Sequence, residues 1–178
     1  FSTLGEQKKT NYALQPQSKE EFISVVTNGL AAPPQYFPIN ARINREGYES
    51  INDVMEKGLQ PLSVPAFKAL AGEGVIILDT RHANTFTQGF VPGSISIGLE
   101  GRFAEWAGSL LPFSQPIMLV AEAGKEKESL VRLARVGFDK VRGYLEGGYE
   151  AWVNAGELQD VIIDVEADEL AMDLQFDE

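Results

Sequence analysis

The residues best placed for chemistry lie where an apolar segment, Ile117-Met118-Leu119-Val120, runs into Ala121-Glu122-Ala123-Gly124-Lys125-Glu126 and a helical pattern follows at once. A strand that empties into a loop opening a helix gathers backbone N–H groups at one point. The helix dipole there favours negative charge, so such a loop can hold an anion or build a nucleophile. The side chains present complete neither task. Ala121 offers no nucleophile, and Glu122 and Glu126 bring negative charge, partly offset by Lys125 and Lys127, to a place suited to anions. Two readings follow: a site retuned to bind a cation or a partner, or an inactive scaffold loop whose glutamates sit well at a helix N-terminus. The scaffold reading is preferred.

A second cluster follows the run Val75-Ile76-Ile77-Leu78, which ends in Asp79-Thr80-Arg81. Asp79 and Arg81 could clamp an anion. The structural reading is stronger, because a carboxylate ending a buried strand accepts backbone amides or pairs with an arginine. His82 beside them has no Ser or Cys partner in a motif and reads as a surface or cap residue. Asp160, Asp164 and Asp168 lack the glycine and closing glutamate of a calcium loop. Gly143 to Gly148 lacks the G-K-[S/T] ending of a phosphate loop. Trp106 and Trp152 are expected in the core.

These groups need strands that deliver their loops to one edge. Apolar runs place strands near 75–79, 95–98, 117–121 and 141–145, and helices near 64–71, 82–88, 102–111, 125–136 and 147–155. Strands apolar throughout are expected where both sheet faces are covered. The alternation predicts an α/β fold, a mostly parallel sheet with right-handed crossovers and helices on both sides. Upstream, Ser18-Lys19-Glu20-Glu21 is a capping-box pattern, with Phe22, Ile23, Val25, Val26 and Leu30 at helical spacing and Gly29 as the stop. Ala31 to Pro38 reads as a Pro-rich connector, because Pro-Pro cannot continue a helix. One or two short helices follow over 39–57. A boundary is expected between Lys57 and Ser63, where Gly58 and Pro61 are breakers.

Several spaced motifs, in order across residues 62–156, resemble the rhodanese domain family. Val75 to Arg81 matches its strand ending in D-x-R. Gly89-Phe90-Val91-Pro92-Gly93-Ser94 resembles its G-H-I-P-G-A turn, with Phe90 for the histidine. The 121–126 loop resembles C-x-x-G-x-R aligned on Gly124, so Ala121 stands for the cysteine and Glu126 for the arginine. Gly137-Phe138 and Gly147-Gly148-Tyr149-Glu150-Ala151-Trp152 match the glycine-phenylalanine turn and G-G-x-x-x-W. The resemblance implies a rhodanese-like five-stranded sheet with a helical N-terminal extension. It also implies structural roles for Asp79, Arg81, Gly93, Gly147, Gly148 and Trp152, and a degenerate active-site loop made of Ala121, Glu122, Ala123, Gly124, Lys125 and Glu126. In active members the cysteine thiolate takes up a sulfane sulfur, and loop amides and the arginine stabilise the persulfide. No catalytic residue is therefore expected in this segment.

The flanks carry further resemblances. Ser2 to Leu14 is similar to the closing segment of glyoxalase II-like metallo-β-lactamase hydrolases and persulfide dioxygenases, with Tyr12 in place of a proline. Ala32-Pro33-Pro34-Gln35-Tyr36-Phe37 and Asn40, Asn44 and Gly47 fit the tail of such a domain fused to rhodanese units. Val161-Ile162-Ile163-Asp164, then Ala167-Asp168-Glu169-Leu170, resembles the opening of another rhodanese repeat. The implied division is 1–60 as the tail of a metallo-β-lactamase-like domain plus linker, 62–156 as an inactive rhodanese-like domain, and 157–178 as the start of a second repeat. Phe1 is not an initiator methionine, in keeping with a piece of a longer chain. By the same resemblance, Lys8 or Lys9 contacts a carboxylate of a glutathione-type thiol substrate in the intact parent. On the residues alone they are an ordinary exposed pair. No cofactor is expected in this segment, while iron or zinc is expected in the upstream domain.

Bulk properties set limits. At 178 residues the chain has room for one domain plus appendages, and 44% hydrophobic content with ten Phe suffices for a core. No apolar run nears the ~20 residues that cross a bilayer, and no signal peptide is visible. Zero cysteine excludes disulfides, thiolate catalysis and zinc–thiolate sites here, and the single His82 excludes a multi-histidine metal site. A net charge of −11 argues against nucleic-acid phosphates. Nine acidic residues and no Lys or Arg fall between Glu157 and Glu178, which reads as a solvated linker and helix face. The expected partners are neighbouring domains of the same parent chain and, at a dimer interface, a second copy. Neither nucleic acid nor membrane is expected, and the expected setting is the bacterial cytoplasm.

Three functions compete. The first is a non-catalytic module that spaces or orients the domains of a sulfur-handling hydrolase or dioxygenase. The second is a binding module whose Glu122, Glu126 and Glu128 receive a basic partner. An active sulfurtransferase or dual-specificity-type phosphatase is set aside, because both need the cysteine.

Overall fold

A computed structural model of the chain describes residues 1–30, 33, 34, 36–47 and 49–174. They fall into two units, Phe1–Pro33 and Pro34–Glu178. In the first, helix α1 (Leu4–Thr10) opens on a capping box. The Thr3 hydroxyl accepts from Glu6 N at 3.2 Å, and the Glu6 carboxylate accepts from Thr3 N at 3.0 Å. Helix α2 (Lys19–Thr27) opens the same way on Ser18 and Glu21, at 3.1 and 2.8 Å, where the sequence pattern placed it. It stops before Gly29, whose φ of +72° a residue with a Cβ rarely adopts.

The second unit begins with α3 (Tyr36–Glu46) and α4 (Ile51–Gly58). The expected connector is shorter than the sequence suggested, because Tyr36, Phe37 and Pro38 already form the first turn of α3. Proline is tolerated there, where amides lack an intrahelical partner anyway. Residues 31, 32 and 35 of that connector lie outside the described residues. The sheet elements follow as β1 (Pro61–Leu62), α5 (Val64–Gly72), β2 (Ile76–Asp79), α6 (Ala83–Gln88), β3 (Ile95–Ser96), α7 (Phe103–Leu110), β4 (Ile117–Val120), α8 (Glu126–Ala134), β5 (Val141–Leu145), α9 (Gly148–Asn154) and α10 (Ala167–Asp173). The five strands run in the order β1-β5-β4-β2-β3, every neighbouring pair parallel, which gives the expected five-stranded parallel sheet. Sequence patterning missed β1, since two residues that include a proline make no apolar run. Proline is tolerated at this edge.

Side-chain alternation explains the layers. Along β4, Ile117 and Leu119 face a core with Leu78, Phe103, Leu130, Leu133 and Val54, under α4, α7 and α8. Met118 and Val120 face the opposite core with Ile77, Phe67, Leu145 and Trp152, under α5 and α9. All four β4 residues are buried, so the strand is apolar at every position. Val54 packs in this core, and a Cβ on Gly58 would lie 2.8 Å from Leu130, so α4 is seated closely on α8. The sheet unit therefore begins upstream of the 57–63 breakers. No helix among the described residues is long and apolar enough to cross a membrane.

Candidate functional site

Both clusters singled out in the sequence come together at the carboxyl edge of the sheet. Asp79 ends β2 and Val120 ends β4, and the two are register partners. The chain leaves β2 toward β3 on one side and leaves β4 toward β5 on the other. In parallel sheets a crevice opens at such a reversal.

The β2 end is dry. Asp79 is fully buried and Arg81 is 5% exposed. Arg81 Nε donates to both Asp79 oxygens at 3.0 Å, its Nη2 donates to Oδ2 at 2.6 Å, and its backbone N donates to Oδ1 at 3.0 Å. Nη2 also donates to Gly89 O at 2.9 Å, and the guanidinium lies 4.2 Å over the Tyr149 ring. Tyr149 Oη donates to Gln159 Oε1 at 2.5 Å. Burial raises the Tyr149 phenol above its usual pKa; the nearby Arg81 charge counters this and Asp79 adds to it. A buried ion pair with every oxygen occupied has little capacity left for a substrate. His82 caps α6, its Nδ1 accepting from Asn84 N at 3.2 Å. Gly93 takes φ +79° after Pro92, with Ser94 N donating to Val91 O at 3.0 Å, as a type II turn requires.

The β4 end is wet. Ala121 is buried, Glu122 through Lys125 are exposed, and Glu126 is half-buried. Lys125 N donates to Glu122 O at 2.9 Å, closing a turn with Gly124 at φ +82°. Among the described residues the N–H groups of Ala123, Gly124 and Glu126 find no protein acceptor. Gly147 and Gly148, at φ +75° and +61°, start α9 against this loop, where a Cβ on Gly148 would lie 3.1 Å from Ala121 O. Trp152 is buried, edge-on to Phe67 at 6.3 Å, and its Nε1 donates to Leu158 O at 2.7 Å. Lys125 Nζ donates to Glu128 at 2.9 Å. That bond raises the Lys125 ammonium above its usual pKa, aided by the Glu122 and Glu100 charges, and lowers the Glu128 carboxyl.

Sequence reasoning missed the hydroxyls that join the two ends. Thr80 Oγ1 lies 3.1 Å from Ser129 Oγ and 3.3 Å from Val120 O, and Ser129 Oγ lies 2.9 Å from Lys125 O. Two hydroxyl protons serve three contacts, so two form at once. It also missed Tyr149, an unspecified position in the matched motif, and Arg132, which donates to Leu99 O and, at 2.8 Å, to Gly101 O. Trp106 is a correction. Expected in the core, it is 54% exposed, because α7 buries Phe103, Ala107 and Gly108 and turns Trp106 and Leu110 outward. It lines a groove of about 570 Å³ with Thr80, His82, Leu99, Glu122 and Lys125. Lys8 and Lys9 lie in the other unit, exposed in the last turn of α1, their carbonyls accepting from the Gln15 side chain.

The family model of the rhodanese-like domain matches residues 63–155. That is more than half of the chain, and the chain belongs to the rhodanese-like domain family. No curated protein matches it significantly in sequence. Among solved structures it is similar to a metallo-β-lactamase from Staphylococcus aureus, at 23% identity and TM-score 0.58, over 82% of this chain and 40% of that one. It is also similar to the rhodanese-like domain of a protein from Anabaena sp. (24% identity, TM-score 0.49, 59% of this chain and 82% of that one) and to a thiosulfate sulfurtransferase from Pseudomonas aeruginosa (18%, 0.48, 64% and 23%). This chain thus spans 40% of the length of the Staphylococcus protein, and a likeness at such identities is one of fold.

Proposed function

We propose that this chain is a non-catalytic rhodanese-like module of a larger metallo-β-lactamase/rhodanese protein of sulfur metabolism. The observation that carries the reading is the 121–126 loop. It joins a buried strand to a helix, beside a second helix start, yet Ala121 stands where a sulfur nucleophile would stand. A methyl group cannot accept a sulfane sulfur, and no cysteine elsewhere in the chain can substitute. Glu126, where the family motif has arginine, would repel a persulfide anion rather than stabilise it.

The parentage is supported from two directions. The Ser2–Leu14 segment resembles the end of a metallo-β-lactamase-type hydrolase or dioxygenase. The fold likeness to a protein named metallo-β-lactamase takes in 82% of the chain, more than the rhodanese match covers. In this proposal residues 1–60 carry the tail of that upstream domain and the linker into the sheet unit, 157–178 open a further rhodanese unit, and Lys8 or Lys9 meets a carboxylate of a thiol substrate. Iron or zinc belongs to the upstream domain. Among the described residues no three His, Cys, Asp or Glu side chains converge as ligands, so no step is assigned to a metal here. The module spaces and orients its neighbours. Sequencing the complete coding region tests this: an H-x-H-x-D-H motif upstream is expected, and an upstream region without it sinks the parentage.

A further inference from the structure

We propose that the groove beside the 121–126 loop docks an arginine side chain presented by a peptide of a partner protein. This deepens the non-catalytic reading of the loop and rests on it. The groove's cations are already engaged. Lys125 is paired with Glu128, and Arg102 with Glu105. Arg132 gives its terminal nitrogens to Leu99 O and Gly101 O and lies 5.4 Å from the Phe103 ring centroid. Two carboxylates are not engaged, since Glu100 and Glu122 line the groove without an ion-pair partner among the described residues. Glu122 belongs to the loop itself, and Glu100 lines the groove together with Lys125. Trp106 and Leu110 line the same groove and are open to solvent, at 54% and 59% exposed.

An indole and two free carboxylates ask for a flat cation with several donors. Guanidinium stacks on aromatic rings and forks onto carboxylates, whereas the ammonium of lysine is a compact, strongly hydrated point charge. The arginine stem would lie along Leu110. The groove, about 570 Å³, has room for one long side chain and its flanking backbone. The chain's net charge of −11 draws a basic segment in and turns anions away.

The test is fluorescence anisotropy with the whole chain and a dye-labelled Gly-Gly-Arg-Gly-Gly peptide, acetylated and amidated at its ends. Saturable binding is expected. Trp106→Ala should weaken it about fivefold, as loss of a cation–π contact does. Glu122→Gln and Glu100→Gln should each weaken it about threefold or more. The same peptide with citrulline for arginine should not saturate. All three side chains are exposed, and an unchanged circular-dichroism melt confirms folding of each variant. No saturation, equal binding of the citrulline peptide, wild-type affinity in the Trp106→Ala variant, or agmatine competing as tightly as the peptide would each overturn the proposal. Its failure would leave the non-catalytic reading intact, because thiocyanate release tests that reading separately.

Discussion

The ends of β2 and β4 are register neighbours at the same edge of one sheet, yet they are built in opposite ways. After β2, Asp79 and Arg81 are buried and hold each other, the Gly89 carbonyl and the Tyr149 ring. After β4, Glu122 through Lys125 are exposed and the pair of Lys125 with Glu128 is solvated. A change at the first place leaves a charge stranded in the core. A change at the second alters chemistry and leaves the fold alone. That difference is why a chain can keep the rhodanese-like scaffold while its loop carries alanine and glutamate.

Mutations can break the comparison. Arg81→Ala should have the largest effect, a loss of about 3–5 kcal/mol on urea unfolding, because Asp79 is left buried and unpaired. A loss below about 1 kcal/mol would mean that the pair behaves like a surface bridge. Gly89→Ala should cost about 1–3 kcal/mol. An added Cβ would overlap the Tyr149 hydroxyl and come within 3.1 Å of its Cζ, and that ring is fixed by Arg81 and Gln159.

An alkaline titration sharpens it. The Tyr149 phenol has its pKa raised in the folded chain. Its contribution is therefore full below the unfolded value of about 10 and is lost as pH rises through the raised folded value. The stability difference between wild type and Tyr149→Phe, measured by denaturation from pH 8 to 11.5, should shift against the wild type above pH 10. A difference flat across that range would remove Tyr149 from the network. The smallest effect is expected at the β4 end, where Glu122→Gln should stay within about 0.5 kcal/mol of wild type in the same unfolding assay.

Most of the fold was legible in the sequence, because burial on both faces writes itself as unbroken apolar runs at β2 and β4, and because caps such as Ser18 with Glu21 are local. What stayed hidden depends on distant packing. β1 exists because Pro61 and Leu62 meet Tyr144 and Leu145. Tyr149 matters because α9 carries it over Arg81, and Thr80 because α8 brings Ser129 to it. The exposure of Trp106 follows from which stripe of α7 meets the sheet, and the apolar pattern of that helix does not choose the stripe. At the site, the loop was visible as a strand-to-helix junction, but the groove beside it joins residues far apart in the chain.

The most direct measurement is cyanide-dependent release of thiocyanate from thiosulfate, made on the wild-type chain and on the Ala121→Cys, Glu126→Arg variant. The wild type should release none above the buffer rate. If the proposed alignment of the loop holds, the variant should show saturable turnover. Turnover by the wild type would contradict the account outright, and a folded variant that binds no sulfane sulfur would show that the loop itself is not a cradle.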